Sequence, residues 1–246
     1  MTQKIAGGPL RLWINLRDGM PPPGAYGCGG DISAGTGATP SCLSIVSRET
    51  GEKVCEYANA HIEPIELAPL AVALCRAFRD TDDQGAAFAW EMQGPGKKFG
   101  DRVVNTLGYR NIYYHVREDK LTKKQSDVYG FYPSPDAKDD LLKEYKHALT
   151  HRNFINRSIL ALEECLDFSY QSTGHIEHGG AMNTNDPTGA RVNHGDRCIS
   201  DALAWMMVKG SVKSLRRPPE RLPGPSSLAG RRKMAENDRE LQEVWD

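Results

Sequence analysis

An excess of charge of either sign is missing from this chain. Its 31 Lys and Arg stand against 32 Asp and Glu, a formal net charge of −1 over 246 residues. A globally cationic nucleic-acid binder is thereby excluded, and any contact with a polyanion must come from a local patch. Long apolar runs are also missing: none approaches the roughly 18 residues that a membrane helix needs. The first ten residues hold one Lys and no apolar h-region, so a secreted protein is not expected. The six cysteines (Cys28, Cys42, Cys55, Cys75, Cys165, Cys198) include no C-x-x-C pair. They read as reduced thiols rather than as a disulfide framework or a zinc ribbon. No G-x-x-x-x-G-K-[ST] phosphate loop occurs, and Gly94-Pro95-Gly96-Lys97-Lys98 has the wrong spacing for one.

What is present reads as an α/β domain over residues 24–210. It follows a leader and linker over 1–23, which ends in Pro21-Pro22-Pro23, and precedes a Pro-rich, charge-segregated tail over 211–246 expected to be disordered or peripheral. A Gly-rich first strand ends at Asp31. Residues 41–47 and 52–59 form a hairpin, the second strand placing Val54, Glu56 and Ala58 on one face and Cys55 and Tyr57 on the other. Apolar spacing predicts a helix over 65–78. The wholly apolar run 86–90 reads as a buried central strand leading straight into Glu91. A helix follows to about Leu107, then a strand over 111–116 and a charged loop over 117–128. Ser134-Pro135 and Ser158 open two further helices, the second with Leu160, Leu162, Cys165 and Leu166 as most of its apolar residues. Residues 172–194 read as a long loop or irregular hairpin, and a last helix spans 196–209. Strand, hairpin, helix, strand, helix, strand is the order of a mixed sheet flanked by helices.

Three acids occupy informative places in that order: Asp31 after the first strand, Glu91 after the apolar strand, Asp196 at the head of the last helix. Neighbouring parallel strands bring their C-terminal ends to one edge, where a carboxylate from each could meet a third from a packed helix. Such carboxylates repel one another and lose hydration, so as anions they call for cations between them. Oxygen-only ligands favour Mg²⁺ or Mn²⁺ over zinc, and two such ions can activate a water and stabilise the leaving oxygen of a phosphodiester. Taken singly, Asp31 fits a turn residue and Asp196 a first-turn acid on a helix dipole. Glu91 is harder to place so simply, because it directly follows a buried strand. Glu164, beside Glu163, reads as part of a solvated face. His175, His178, His194 and Cys198 have zinc-ligand chemistry, but the first two fall in a polar stretch and Cys198 fits a helix core.

Asp31-Ile32-Ser33-Ala34-Gly35, Trp90-Glu91, Gly130-Phe131 ahead of the Ser134 helix, and His194-Gly195-Asp196 followed by Asp201-Ala202-Leu203-Ala204 together resemble the nuclease domain of phage terminase large subunits, over about residues 9–209. The resemblance implies an RNase H-like fold and a metal-dependent DNA endonuclease that cuts concatemeric viral DNA during genome packaging. It implies two Mg²⁺ or Mn²⁺ ions, with Asp31 bridging both while Glu91 and Asp196 each hold one. The family's His-Asp-Asp motif here has Gly195 in place of its first Asp, and Asp201 is a secondary candidate ligand. The expected substrate is double-stranded DNA. Lys97, Lys98 and Arg102, and Lys120, Lys123 and Lys124 in the loop after the next strand, are candidates for its phosphates; His194 is a candidate for orienting a phosphate or a water. With no phosphate loop, the chain reads as a nuclease portion without its motor. The implied partners are a separate packaging ATPase, a terminase small subunit and a portal, in the host cytoplasm of a phage and away from any membrane. A junction-resolvase-like nuclease of the same fold and a non-catalytic DNA- or portal-binding module are the alternatives.

Overall fold

The computed structural model describes residues 8–118, 125–179, 188, 190 and 194–209. A five-stranded mixed sheet lies at its centre. Its strands are β1 (Leu10–Leu12), β2 (Tyr26–Asp31), β3 (Ser41–Ser47), β4 (Lys53–Asn59) and β5 (Ala87–Trp90), in the order β1-β4-β3-β2-β5. All neighbours are antiparallel except β2 and β5, which run parallel with Gly30 opposite Trp90. Between those two strands the chain passes through β3, β4 and α1 (Pro64–Ala77), the length of connection that a parallel crossover requires.

Each face of the sheet is buried by a different set of helices. On one side Cys28, Ile45, Tyr57, Phe88 and Trp90 pack with Leu67, Ala71, Cys75 and Phe78 of α1 and with Phe99 of α2 (Pro95–Asp101). A π-helical turn, Arg102–Thr106, continues α2 and adds Val103 and Val104 to that layer. On the other side Val46 and Ala89 pack with Leu141 and Tyr145 of α3 (Pro135–Thr150) and with Ile199, Leu203 and Met207 of α5 (Asp196–Val208). Strands covered on both faces need not alternate, and β3 and β4 are buried almost throughout. The last helix of this layer, α4 (Ile159–Leu166), packs beside α5. Ser134 and Ser158 cap α3 and α4, each hydroxyl accepting from the backbone N–H three residues on, at 3.3 Å.

Several expectations change. Leu10–Leu12 does not stay in the leader; it hydrogen-bonds along β4 as the sheet's edge strand. The charged segment 117–128 is not wholly a loop, because β6 (Tyr114–Glu118) pairs with β7 (Gln125–Tyr129) in a hairpin. The stretch 172–194 contains β9 (Ile176–His178), which pairs with β8 (Phe168–Tyr170). In α4 the buried side chains are Ala161 and Glu164, whereas Leu162 is 39% and Leu166 83% exposed. In β4 the register slips where Ile45 faces Cys55 but Val46 faces Lys53. Val54 is thus an extra residue on its strand, and a bulge of this kind inverts the alternation beyond it. Val54 therefore joins Cys55 and Tyr57 in the α1-side core, and Lys53 comes to the α5 side with Glu56. The segments 119–124 and 211–246 lie outside the described residues.

Candidate active site

The three acids singled out in the sequence lie at one edge of the sheet, where one helix is seated tightly on one strand. Every second residue of β2 faces α5. A Cβ on Gly27 would lie 2.6 Å from the Val208 side chain and 2.9 Å from the Ala204 carbonyl oxygen; one on Gly29 would lie 2.0 Å from the carbonyl oxygen of Ser200. Only glycine lets the helix backbone come this close, and the Ser200 hydroxyl secures the contact by donating to the Gly29 carbonyl at 3.2 Å. Advancing two residues along β2, about 6.6 Å, matches retreating four residues along α5, about 6 Å. The series Gly27 with Ala204 and Val208, then Gly29 with Ser200, next sets Asp31 against Asp196. Glu91 continues the parallel pairing, its N–H donating to the Gly30 carbonyl at 3.0 Å. It follows Ala89 in alternation, and Ala89 belongs to the α5-side core. On the far side of Glu91 the backbone of Phe131 forms a parallel bridge, with the Phe131 N–H donating to Trp90 and the Met92 N–H to Phe131, each at 2.8 Å.

Burial and neighbouring charge act on all three carboxyls. Burial, followed by the charges of Asp196 and Glu91, holds the Asp31 carboxyl well above the ordinary carboxylate range; Lys138 of α3 opposes the rise and Glu164 adds to it. Burial raises Glu91, again relieved by Lys138. Burial, with the nearby charge of Glu164, pushes Asp196 up to about 7, against the pull of the His194 N–H, its own N–H and Arg197. Among the described residues none of these three carboxylates has an ion-pair partner. Also among the described residues, no three His, Cys, Asp or Glu side chains converge closely enough to hold an ion as they stand. The acids share one sheet edge, where Asp31 feels the charges of the other two. Their donor set, carboxylate oxygen alone, suits hard divalent cations such as Mg²⁺.

Beneath them lies a buried ionic network, which the sequence reading missed. Helix α5 begins after Gly195, which has no side chain to cap it, sits at φ 81° and would drive a Cβ to 2.4 Å from Phe168. Glu164 caps the helix from α4 instead. It accepts from the N–H of Arg197 at 2.8 Å and of Cys198 at 3.3 Å, and pairs with the Arg197 guanidinium. Glu164 is therefore not on a solvated face; it is 2% exposed. The Arg197 Nε also lies 3.7 Å from Glu56. Glu56 and Asp201 both meet the wholly buried ammonium of Lys53 at 2.7 Å, and Asp201 further accepts from Asn156 at 2.7 Å and from Tyr145 at 3.2 Å. A ligand role for Asp201 is not supported by this placement, because its carboxylate is engaged with these partners inside the α5-side layer. A Lys in a strand and an adjacent Glu pair carry no sequence signal of burial; only the bulge at Val54 and the glycine cap of α5 explain them.

Lys97 and Lys98 on α2, and Arg102 after it, are exposed. Lys98 lines a cavity of about 410 Å³ with Ala34 from the loop after Asp31 and Gly94 from the loop after Glu91, so it borders the segments leaving both strand ends. Lys120, Lys123 and Lys124 lie outside the described residues. The cation the sequence reading overlooked is Lys138, which acts on Asp31 and Glu91 together. His194 is exposed, and its N–H donates to Asp196 at 3.4 Å. The zinc-type residues do not gather: His175 is bonded to Asp139 at 3.1 Å, His178 packs edge-on against Phe168, and Cys198 lies in the core.

No protein-family model and no curated protein sequence matches the chain. Solved structures do match. The chain is similar to the large terminase nuclease from thermophilic phage G20c with bound magnesium (TM-score 0.52, 16% identity, 80% of this chain and 87% of that one). It is also similar to the same nuclease with bound cobalt (TM-score 0.54, 15% identity, 80% and 87%). A third is the Thermus phage P74-26 large terminase nuclease domain (TM-score 0.51, 16% identity, 83% and 88%). At these identities the likeness is one of fold: the mixed sheet flanked by helices is the RNase H-like architecture of large-terminase nucleases.

Proposed function

We propose that this chain is a divalent-metal-dependent DNA endonuclease of the large-terminase type. The observation that carries the reading is the seating of α5 on the glycines of β2, beside the parallel strand β5, which brings Asp31, Glu91 and Asp196 to one sheet edge. The bound magnesium and cobalt of the structural neighbours support a divalent ion at such a site. Asp31, which feels the charges of the other two acids, would with Glu91 and Asp196 hold the Mg²⁺ or Mn²⁺ ions. When bound, the ions supply Lewis-acid polarisation of the phosphodiester and an activated nucleophile.

The chain's own residues do the rest. Glu164 and Ser200 fix the helix that carries Asp196. Lys138 tempers the negative charge of Asp31 and Glu91. Lys97, Lys98 and Arg102 offer cations to the backbone of double-stranded DNA. Phosphate contacts of this kind carry no base information, so cutting is of low sequence specificity. In a packaging context the chain works with an ATPase motor, a terminase small subunit and a portal.

A plasmid-nicking assay across Mg²⁺, Mn²⁺ and EDTA tests the reading. Relaxed and linear products should appear with either ion and vanish with EDTA and in Asp31→Asn. Cleavage that persists in EDTA, or at the parental rate in Asp31→Asn, refutes it. Preference for a four-way junction over linear duplex would move the assignment to a resolvase.

A further inference from the structure

Two of the six free cysteines meet outside the carboxylate edge. The Cys165 sulfur, near the end of α4, lies 3.2 Å from that of Cys198 in the first turn of α5. Cys198 is 2% exposed and Cys165 is partly open to solvent. Both line a cavity of about 220 Å³, whose wall includes Tyr145, Lys146, Phe168 and Tyr170. A thiol pair with one accessible member, one sheltered member and a cleft over both is the arrangement that thiol–disulfide exchange uses. The remaining cysteines serve as an internal contrast: Cys28 and Cys75 also interact with each other, yet both are fully buried in the opposite core layer.

We propose that Cys165 and Cys198 form a reversible disulfide site that takes a low-molecular-weight aliphatic disulfide through this cavity. The Cys165 thiolate attacks one sulfur of the incoming disulfide, forming a mixed disulfide and releasing one small thiolate. Cys198, its proton passed to solvent, then attacks the Cys165 sulfur and releases the second. One S–S bond is consumed and one is formed. The protein loses two electrons and two protons; the small disulfide gains both and leaves as two thiols. The sulfurs close from 3.2 Å to the bonded distance of about 2.05 Å, and the new bond ties α4 to the helix turn that begins with Asp196. The inference does not rest on the nuclease reading.

The test uses the full chain, reduced, folded and exposed to oxidised glutathione, followed by non-reducing peptide mapping. The expected result is a Cys165–Cys198 cross-linked peptide pair lacking two hydrogens, two glutathione thiols released per chain, reversal by dithiothreitol, and Cys28 and Cys75 still reduced. Cys198→Ser should instead accumulate one glutathionyl group on Cys165, and Cys165→Ser should take none. The proposal is overturned if the parent chain keeps all six thiols, if it stops at a stable glutathionyl group on Cys165, or if the cross-link appears only after unfolding in urea.

Discussion

The carboxylate of Glu164 accepts the backbone N–H of Arg197 at 2.8 Å and also pairs with the same residue's guanidinium. One side chain thus caps α5 and neutralises the cation that the cap would otherwise leave buried. Removing one member of such a buried pair costs up to roughly 3–5 kcal/mol, and here Glu56, 3.7 Å from the Arg197 Nε, offsets part of it. Glu164→Ala should lower unfolding stability by up to that amount, read from urea denaturation. Glu164→Gln, which still accepts the N–H bonds, should lose less; an equal loss in both would show that the cap contributes nothing.

Asp31→Asn should separate activity from stability. The Asp31 carboxyl is held well above its ordinary range by burial and by Asp196 and Glu91. Its charged form therefore weakens the fold at neutral pH, and a neutral amide should raise the melting temperature. Nicking should fall by at least about 100-fold, as for loss of a group acting on the developing charge. Differential scanning fluorimetry beside the plasmid assay reads both; a melting temperature that drops would contradict the repulsion.

Lys53→Met should be strongly destabilising at neutral pH and partly rescued by acid. Burial raises Glu56, but the Lys53 ammonium, together with a hydrogen bond from Ser158 and the charge of Arg197, more than offsets it and leaves Glu56 below its ordinary value. In the parent chain Glu56 thus contributes stability above its unfolded pKa, lost as pH falls through the lowered value. Lys53 itself is raised to about 12, so its contribution is complete below its unfolded value of 10.5 and is lost as pH rises through about 12. Without the ammonium the main influence opposing burial is gone from Glu56 and Asp201, leaving Ser158 and Arg197 on the first and hydrogen bonds on the second, so both carboxyls shift upward and stability should rise as pH falls. Urea midpoints of Lys53→Met at pH 8 and pH 5 should increase toward acid; a flat profile would place the two carboxylates outside this network.

Lys98→Ala and Lys97→Ala together should weaken binding to duplex DNA similarly across sequences and reduce the slope of log affinity against log salt by up to about 2, since each phosphate contact contributes roughly 0.9. Fluorescence anisotropy over a salt series measures it. An unchanged slope would leave both lysines as solvated surface.

The positions of Asp31, Glu91 and Asp196 at the ends of their elements are legible in the sequence from the apolar run before Glu91 and from the family motifs the three acids resemble; their role as ligands belongs to the proposal. The apolar run before Glu91 reads as a covered strand, whereas the reason for the glycines before Asp31, the close passage of α5, shows only in the packing. Glu164 was not legible, because α4 buries it and turns Leu166 to solvent, the reverse of what apolar periodicity implies. Lys53 was hidden for another reason: a single extra residue at Val54 exchanges the faces of β4, and alternation read along one strand cannot register a slip against its neighbour. Lys138 lies on α3, and only packing of α3 against α5 brings it to the carboxylates.

The opposed run of β2 and α5 works as a ruler. Strand and helix advance at nearly matched increments over the stretch where glycine meets helix backbone, so two residues inserted into β2 would carry Asp31 a full helical turn beyond Asp196, and two removed would bury it under Ser200. Homologues of this chain should therefore vary in length in their connections and keep the count from Gly27 to Asp31, and from Asp196 to Ala204, invariant.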